Sequence, residues 1–301
     1  MSSPRQIFIF PAFADDHSGH RGRELPGLYE QLNLYLNTAS KFIDPALGGF
    51  DFHQNNFLGD ELKNQYISCI YSCASSQILR QMRLSPVYSA GYSMGIYAAL
   101  FDSNAITLET ALEFIRIAYH SLRGTISGTR YGMGTIIGLN REDIEQISRK
   151  SNLQVEIANQ NASYSFVISG VQQDVSALLS LAKEEGALHT RNIPVSVPYH
   201  SNKLKPGAIA FADRTSHLTI SLPTNPIVSL IDQKELSTPD DLRQELFRNL
   251  FHPLNWLKTT EWFIRQGIQE FIECGPSGDL AKNARFIEGD YRFLTLDKVQ
   301  Y

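Results

Sequence analysis

The sequence has few cysteines, no long hydrophobic run and no surplus of basic charge. Its 301 residues include three cysteines, an odd number without the spacing of a zinc site, which favours a reducing compartment. No run of about eighteen apolar residues occurs, and the run that follows Gln6 is too short for a signal peptide or a membrane span. The 27 Lys and Arg against 31 Asp and Glu give a net charge of −4, with no sign of a nucleic-acid partner. We therefore expect a cytoplasmic protein. We also expect it to be a monomer.

What the sequence does contain is typical of an ordinary globular protein. Hydrophobic residues make up 43% and charged residues 19%, and the length suffices for a large domain with a smaller one attached. The pattern predicts a buried strand at 6–11, helices at 25–42 and 59–83, and a short strand at 85–91. Thr107 is the expected N-cap of a further helix that runs to about Arg123.

Residues 131–196 have their own order of predicted strands and helices. Strand and helix patterns alternate there in the order βαββαβ, with Gly186 closing the second helix. This order is the split pattern of a ferredoxin-like unit. It indicates a small unit inserted into a larger alternating α/β region.

The stretch AGYSMGIYAAL, residues 90–100, contains a G-x-S-x-G pattern centred on Ser93. A strand precedes it and a helix follows, which is the context in which such a serine becomes an exposed nucleophile on a sharp turn. The helix N-terminus would favour developing negative charge beside it. The alternative is a tight turn whose serine only caps a helix.

A serine nucleophile needs a base, and the sequence offers eight histidines. His17 and His20 lie in a polar loop without a third metal ligand, so we expect no metal site there. His200 follows a strand that ends at Pro198 and stands at a corner where it could be held towards a cleft. Spacing alone leaves the choice of base open.

Eight ordered motifs carry a resemblance that covers nearly the whole chain. They are FIFPAFADD (8–16), NQY (64–66), AGYSMGIYAAL (90–100), GMGTIIGL (132–139), IANQNASYSFVISG (157–170), PVSVPYHSNKLKP (194–206), NLFHPLNW (249–256) and ECGPSGDL (273–280). Together they resemble the malonyl-CoA:acyl carrier protein transacylases and the acyltransferases of polyketide synthases. The resemblance implies an α/β fold, with an α/β-hydrolase-like large subdomain at 1–128 and 197–301 and a ferredoxin-like small subdomain at 129–196.

The same resemblance implies the roles of individual residues. Ser93 would be the nucleophile and His200 the general base, with the backbone carbonyl of Asn249 accepting the second imidazole N–H. The oxyanion hole would consist of the backbone N–H groups of Phe13 and Met94. Substrate-binding positions fall on Gln65, Tyr92, Ala118, Asn161 and Tyr199.

The sequence departs from the family where malonyl-using members carry an arginine that binds the free carboxylate. Counting without gaps from Ser93 to Met133 places that arginine's position on Ala118. Arg116 would point about 200° away around the helix, and Arg123 requires compensating insertions and deletions. Tyr92 and Ile96 replace a family His and Glu, and the acidic pair at 15–16 would repel a carboxylated acyl group. These departures predict a pocket for an uncharged acyl chain.

The sequence therefore favours a serine enzyme that accepts acyl groups from carrier-protein or CoA thioesters. We lean towards an editing acyl-carrier-protein hydrolase of polyketide biosynthesis, with a malonyl or other transacylase as the alternative. A non-catalytic carrier-binding subunit and a generic esterase are less favoured. No cofactor or metal is expected, because CoA or phosphopantetheine would be part of the substrate. Arg191, Lys203 and Lys205 could steer an acidic carrier protein, or could be ordinary solvated charges.

Overall fold

The computed structural model describes residues 4–12, 25–52, 54, 59–126, 128–284 and 287–299. The helices are α1 (Leu28–Phe42), α2 (Glu61–Gln81), α3 (Ile96–Asp102), α4 (Leu108–Thr125), α5 (Arg141–Lys150), α6 (Gln172–Glu184), α7 (Lys205–Thr215), α8 (Pro239–Asn249), α9 (Trp256–Arg265) and α10 (Asp279–Ala284). The strands are β1 (Gln6–Phe10), β2 (Tyr88–Gly91), β3 (Tyr131–Ile137), β4 (Val155–Ala162), β5 (Ser165–Val171), β6 (His189–Ile193), β7 (Ile227–Val228), β8 (Glu235–Leu236), β9 (Leu254–Asn255), β10 (Glu270–Glu273) and β11 (Arg292–Leu294).

The larger sheet has the order β11-β10-β1-β2-β7-β8 and is parallel except for β8. Its central strand β1 places Phe8 and Phe10 on one face and Ile7 and Ile9 on the other. All four side chains are fully buried, as expected for a parallel sheet that is covered on both faces. The predicted strand at 6–11 is thus confirmed as the middle of the core.

Local signals in the sequence also fix several helix ends. Thr107 accepts the backbone N–H of Thr110 at 3.2 Å and caps α4, as its sequence predicts. Gly186 follows the end of α6 with a φ of 99°, a left-handed conformation that glycine adopts without strain. These two residues confirm the predicted limits of their helices.

The smaller sheet contains the predicted βαββαβ unit and one strand more. Its order is β6-β3-β5-β4-β9, so a two-residue strand from beyond residue 196 extends the sheet. In this pairing β9 runs parallel to β4, with Asn159 opposite Leu254, and the Asn255 amide donates to Gln160 at 3.2 Å. The fold class is confirmed as α/β with a ferredoxin-like unit inserted. The pairing of β9 with β4 therefore places β4 beside the cleft of the large subdomain.

Candidate active site

The turn around Ser93 joins β2 to α3 by way of a short 3-10 turn at Ser93–Gly95. The Tyr92 N–H donates to the Phe10 carbonyl at 2.8 Å, which ties the turn to the end of β1. Ser93 has a φ of 55°, in the left-handed region that a non-glycine residue seldom occupies. Strain of this kind persists where the surrounding structure enforces it, and it is concentrated at functional sites.

Gly95 is required by the close approach of two backbones at this turn. A Cβ atom at this position would lie 2.1 Å from the Phe10 carbonyl oxygen and 2.6 Å from that of Pro11. Both contacts are far inside van der Waals distance and involve backbone that cannot rotate away. The second glycine of the motif therefore lets the turn pack directly on the end of β1.

His200 meets Ser93 from the opposite wall of the cleft. Its Nε2 lies 2.7 Å from the Ser93 Oγ, and the two residues are 2% and 8% exposed. The His200 backbone also has a positive φ, 61°, and its N–H donates to the Leu250 carbonyl at 3.2 Å. Two strained residues 107 positions apart in sequence thus present their side chains to each other.

Burial lowers the pKa of His200 to about 4, and hydrogen-bonding backbone groups at His252 and Asn249 oppose this lowering. The imidazole is therefore neutral at physiological pH, and Nε2 can accept the Ser93 hydroxyl proton. Nδ1 is buried and makes no hydrogen bond of regular geometry with any described residue. The Asn249 carbonyl as the partner of Nδ1 thus stays a prediction.

Asn249 makes a different contact that its sequence did not predict. Its side-chain amide donates to the backbone carbonyl of Ser93 at 3.2 Å. Asn249 is the last residue of α8 and is 3% exposed. It therefore links the segment that anchors His200 to the turn that carries Ser93.

The low pKa of His200 predicts an unusual pH dependence of Ser93 reactivity. The rate of Ser93 labelling by a fluorophosphonate should stay constant from neutral pH downwards and fall with a midpoint near pH 4, where the imidazole becomes protonated. A stopped-time labelling series over pH 3.5–8 measures this midpoint. Replacement of the exposed His217 by Gln is the control and should leave the profile unchanged. A midpoint near the usual histidine pKa of about 6.5 would contradict the buried environment.

The oxyanion positions are only partly covered by the structure. Met94 follows Ser93 in the 3-10 turn and is 8% exposed. Its backbone N–H remains the predicted donor. Phe13, the acidic residues Asp15 and Asp16, and the loop histidines His17 and His20 lie outside the described residues.

Tyr92 links two asparagines of β4 beside the cleft. The Asn159 amide donates to the Tyr92 hydroxyl at 2.6 Å, and that hydroxyl donates to the Asn161 Oδ1 at 2.7 Å. Burial raises the Tyr92 pKa to about 12, so the phenol keeps the proton that it donates. Tyr92 and Asn161 were predicted as site residues, whereas Asn159 was not.

Gln65 and Tyr199 form a second polar group. The Gln65 amide donates to the Tyr199 hydroxyl at 2.9 Å, and the hydroxyl donates to Glu61 at 2.9 Å. Glu61 also accepts the Ser196 hydroxyl at 2.8 Å. The sequence marks Glu61 only as an acidic residue in the first turn of α2, which is why its tie to Tyr199 was not predicted.

The position predicted to lack an arginine is a buried alanine, Ala118, 1% exposed on α4. Arg116 forms a two-bond ion pair with Glu113 and is half exposed. Arg123 donates to the Ser196 hydroxyl at 2.7 Å and stacks over Tyr119. Neither arginine lines the cavity that holds Ser93.

That cavity has a volume of about 190 Å³ and lies between the two subdomains. Arg191 on β6 and Asp279 on α10 are exposed and both belong to its lining. Arg191 is the one arginine among the described lining residues, while Lys203 and Lys205 are exposed outside the cavity. The described lining residues are Ala12, Tyr92, Ser93, Met133, Thr135, Asn159, Val167, Arg191, Ile193, Val195, Tyr199, His200 and Asp279.

Other site types find no support among the described residues. No group of three or more His, Cys, Asp or Glu side chains there could hold a metal ion. The three cysteines are free and buried, with the Cys69 and Cys73 sulfurs 3.9 Å apart. No helix in the described part of the chain has the length and apolarity to cross a membrane. The chemistry present is therefore that of the Ser93–His200 pair.

Comparison with known proteins identifies relatives of the chain, although no family model matches it. Malonyl CoA-acyl carrier protein transacylase of Bacillus subtilis is 26% identical over 280 residues, 89% of this chain and 86% of that protein. The solved malonyl CoA-acyl carrier protein transacylase of Coxiella burnetii is 28% identical, with a TM-score of 0.81 over 98% of this chain and 95% of its own.

A type II polyketide malonyl-transacylase, solved with its acyl carrier protein, shares the fold with a TM-score of 0.87 at 22% identity, over 98% of this chain and 96% of its own. Similarity thus extends along nearly the whole chain in both sequence and structure. These relatives are malonyl CoA-acyl carrier protein transacylases, and the chain resembles these acyltransferase enzymes in both sequence and fold.

Proposed function

We propose that the protein transfers a short, uncharged acyl group from a CoA or carrier-protein thioester to an acyl carrier protein thiol. The observation that carries this proposal is the 2.7 Å contact between the Ser93 Oγ and the Nε2 of a neutral, buried His200. A neutral imidazole at hydrogen-bond distance is what a serine needs in order to lose its proton as it attacks a carbonyl.

The reaction proceeds in two half-reactions with the same proton shuttle. The Ser93 Oγ attacks the thioester carbonyl while its proton passes to the His200 Nε2, and a tetrahedral oxyanion forms. The C–S bond then breaks, the thiol leaves with the proton from His200, and an acyl ester remains on Ser93. The acceptor thiol gives its proton to His200, attacks the ester, and leaves with the acyl group as Ser93 is reprotonated.

Transfer to a carrier thiol is favoured over hydrolysis, although the sequence alone favours hydrolysis. The relatives along the whole chain are named transacylases, and one solved relative holds an acyl carrier protein. Water and a carrier thiol compete for the same acyl ester, so the two outcomes differ only in the acceptor. Exposed basic side chains offer positive charge for an acidic carrier protein: Arg191, which lines the cavity, and Lys203 and Lys205 outside it.

An uncharged acyl group is favoured because Ala118 stands where a carboxylate-binding arginine is expected, and Arg116 and Arg123 have other partners. The experiment compares kcat/KM for acetyl-CoA and malonyl-CoA, with holo acyl carrier protein as acceptor, for the wild type and for Ala118→Arg. Wild type should prefer acetyl. The arginine should raise the malonyl-to-acetyl ratio by about 10–100-fold, the effect of one charged hydrogen-bonded pair.

Ala118→Met is the matched control, because methionine adds comparable length without charge. It should leave the ratio near the wild-type value. A wild-type preference for malonyl, or a folded Ala118→Arg protein with an unchanged ratio, would refute the uncharged acyl group. Release of free acid in place of acyl carrier protein product would identify a hydrolase.

A further inference from the structure

The turn that follows His200 is fastened to the small subdomain by one carboxylate. Glu156, near the start of β4, accepts the Ser201 hydroxyl on Oε1 at 2.7 Å and the Asn202 backbone N–H on Oε2 at 3.1 Å. Ser201 is fully buried and also accepts the Lys203 N–H at 3.3 Å, which caps the 3-10 turn that begins at Asn202. Both oxygens of Glu156 are thus used by the two residues next to the base.

His200 needs such support because its own backbone is strained. Its φ is 61°, and on the N-terminal side its N–H is held by the Leu250 carbonyl at 3.2 Å. Leu250 belongs to the large subdomain, while Glu156 holds the C-terminal side from the small one. The strained residue is therefore held from both subdomains, on the N-terminal side by Leu250 and on the C-terminal side by Glu156.

We propose that Glu156 is a positioning residue for the base. It fixes the turn that follows His200 and couples the position of the small subdomain to the Ser93–His200 contact. This inference rests on the proposed function of Ser93 and His200. Glu156 is absent from the described lining of the cavity, so it acts through Ser201 and Asn202 and not on the substrate. A displacement of about 1 Å at a reacting group costs about 100-fold in rate, which sets the size of the expected effect.

The test measures how fast Ser93 reacts with a fluorophosphonate in Glu156→Ala and Glu156→Gln. In that reaction a P–O bond forms to the Ser93 Oγ, fluoride leaves, and the hydroxyl proton passes to His200. Glu156→Ala should slow labelling by about 30–100-fold at pH 7. The labelling rate of Glu156→Gln should lie between those of the wild type and of Glu156→Ala, because the amide oxygen of Gln can still accept one of the two hydrogen bonds. With acetyl-CoA, kcat should fall while KM stays within about twofold, since the binding cavity is untouched.

Asp174→Ala is the matched control. Asp174 makes an anchor of the same kind in the same subdomain, where its carboxylate accepts the Gln154 backbone N–H at 2.9 Å. Its labelling rate should remain within about twofold of wild type. If Asp174→Ala slows labelling as much as Glu156→Ala does, general loosening of the subdomain explains the effect and the proposal falls. If Glu156→Ala fails to fold, the isosteric Glu156→Gln decides alone.

Two further outcomes separate this inference from the proposed function. Wild-type labelling of Ser93 together with unchanged rates in both Glu156 variants would overturn the positioning role and leave the proposed function intact. Absence of wild-type labelling at Ser93, or His200→Ala labelling as fast as wild type, would refute both.

Discussion

Ser93→Ala should lower kcat/KM for acyl transfer by at least about 10⁴-fold and abolish the acyl-enzyme. The reason is geometric: within the described residues that line the cavity, Ser93 is the hydroxyl in contact with a neutral imidazole, at 2.7 Å. Removal of the hydroxyl leaves the cavity and the base in place, so thioester binding should persist while chemistry stops. Steady-state transfer from acetyl-CoA to holo acyl carrier protein, together with intact-protein mass spectrometry, measures both quantities.

His200→Ala should match Ser93→Ala in its loss of rate, and the double variant should lose little more. The two side chains act as one unit, so their contributions do not add. Ser216→Ala, at an exposed serine beyond the end of α7, is the control and should retain wild-type activity. An acyl-enzyme that still accumulates in Ser93→Ala would show that another residue carries the acyl group.

Gly95→Ala should lower the free energy of unfolding by about 3 kcal/mol or more. The added methyl group would meet the Phe10 carbonyl oxygen at 2.1 Å. That oxygen also accepts the Tyr92 N–H, so the turn cannot retreat without breaking its tie to β1. The strained φ of Ser93 depends on the same packing, and activity should be lost with stability. Urea unfolding, followed by circular dichroism, measures the difference in the free energy of unfolding between Gly95→Ala and the wild type.

Gly124→Ala is the matched control for this steric argument. Gly124 lies in the last turn of α4, and a Cβ atom there would meet no heavy atom within 4 Å. Alanine should therefore stabilise the helix by about 0.5–1 kcal/mol, since glycine costs backbone entropy in a helix. Equal unfolding midpoints for Gly95→Ala and wild type would contradict the close backbone approach at the elbow.

The pH dependence of stability follows from His200 as well. Its folded pKa is lowered to about 4, so below its unfolded value of about 6.5 the unfolded chain binds more protons than the folded one. The stability that comes from keeping His200 neutral is fully present above pH 6.5. It is lost as the pH falls from about 6.5 towards 4, and the free energy of unfolding decreases over this range. His200→Gln should remove that part of the acid sensitivity.

Features written locally in the sequence were predictable. The Ile and Phe alternation of β1, the Thr107 cap and the βαββαβ rhythm each depend on residues a few positions apart, and each is present in the structure. The G-x-S-x-G pattern likewise predicts the strand, turn and helix around Ser93. Choosing His200 as its partner required the family resemblance, because nothing in the spacing of eight histidines distinguishes one that folding brings 2.7 Å from Ser93.

Contacts that depend on tertiary packing were not predictable. The sequence marks Glu61 only as an acidic residue at the start of a helix and Glu156 only as a polar residue of a strand. In the structure both carboxylates bind residues next to His200, more than 40 positions away in sequence. The strand β9 has only two residues, too few for any periodic signal. Asn249 was expected to act through its backbone carbonyl, and nothing in the sequence pattern indicates that its side-chain amide donates to the Ser93 carbonyl.

The central claim is that Ser93 carries an uncharged acyl group from one thioester to a carrier thiol. The most direct measurement is a mass-spectrometric time course with acetyl-CoA and malonyl-CoA in equal amounts, with and without holo acyl carrier protein. We expect an acetyl ester on the Ser93 peptide that disappears as acetyl carrier protein forms. Preferential malonyl transfer would contradict the uncharged pocket, and loss of the acetyl ester to free acid in the presence of carrier protein would contradict transfer.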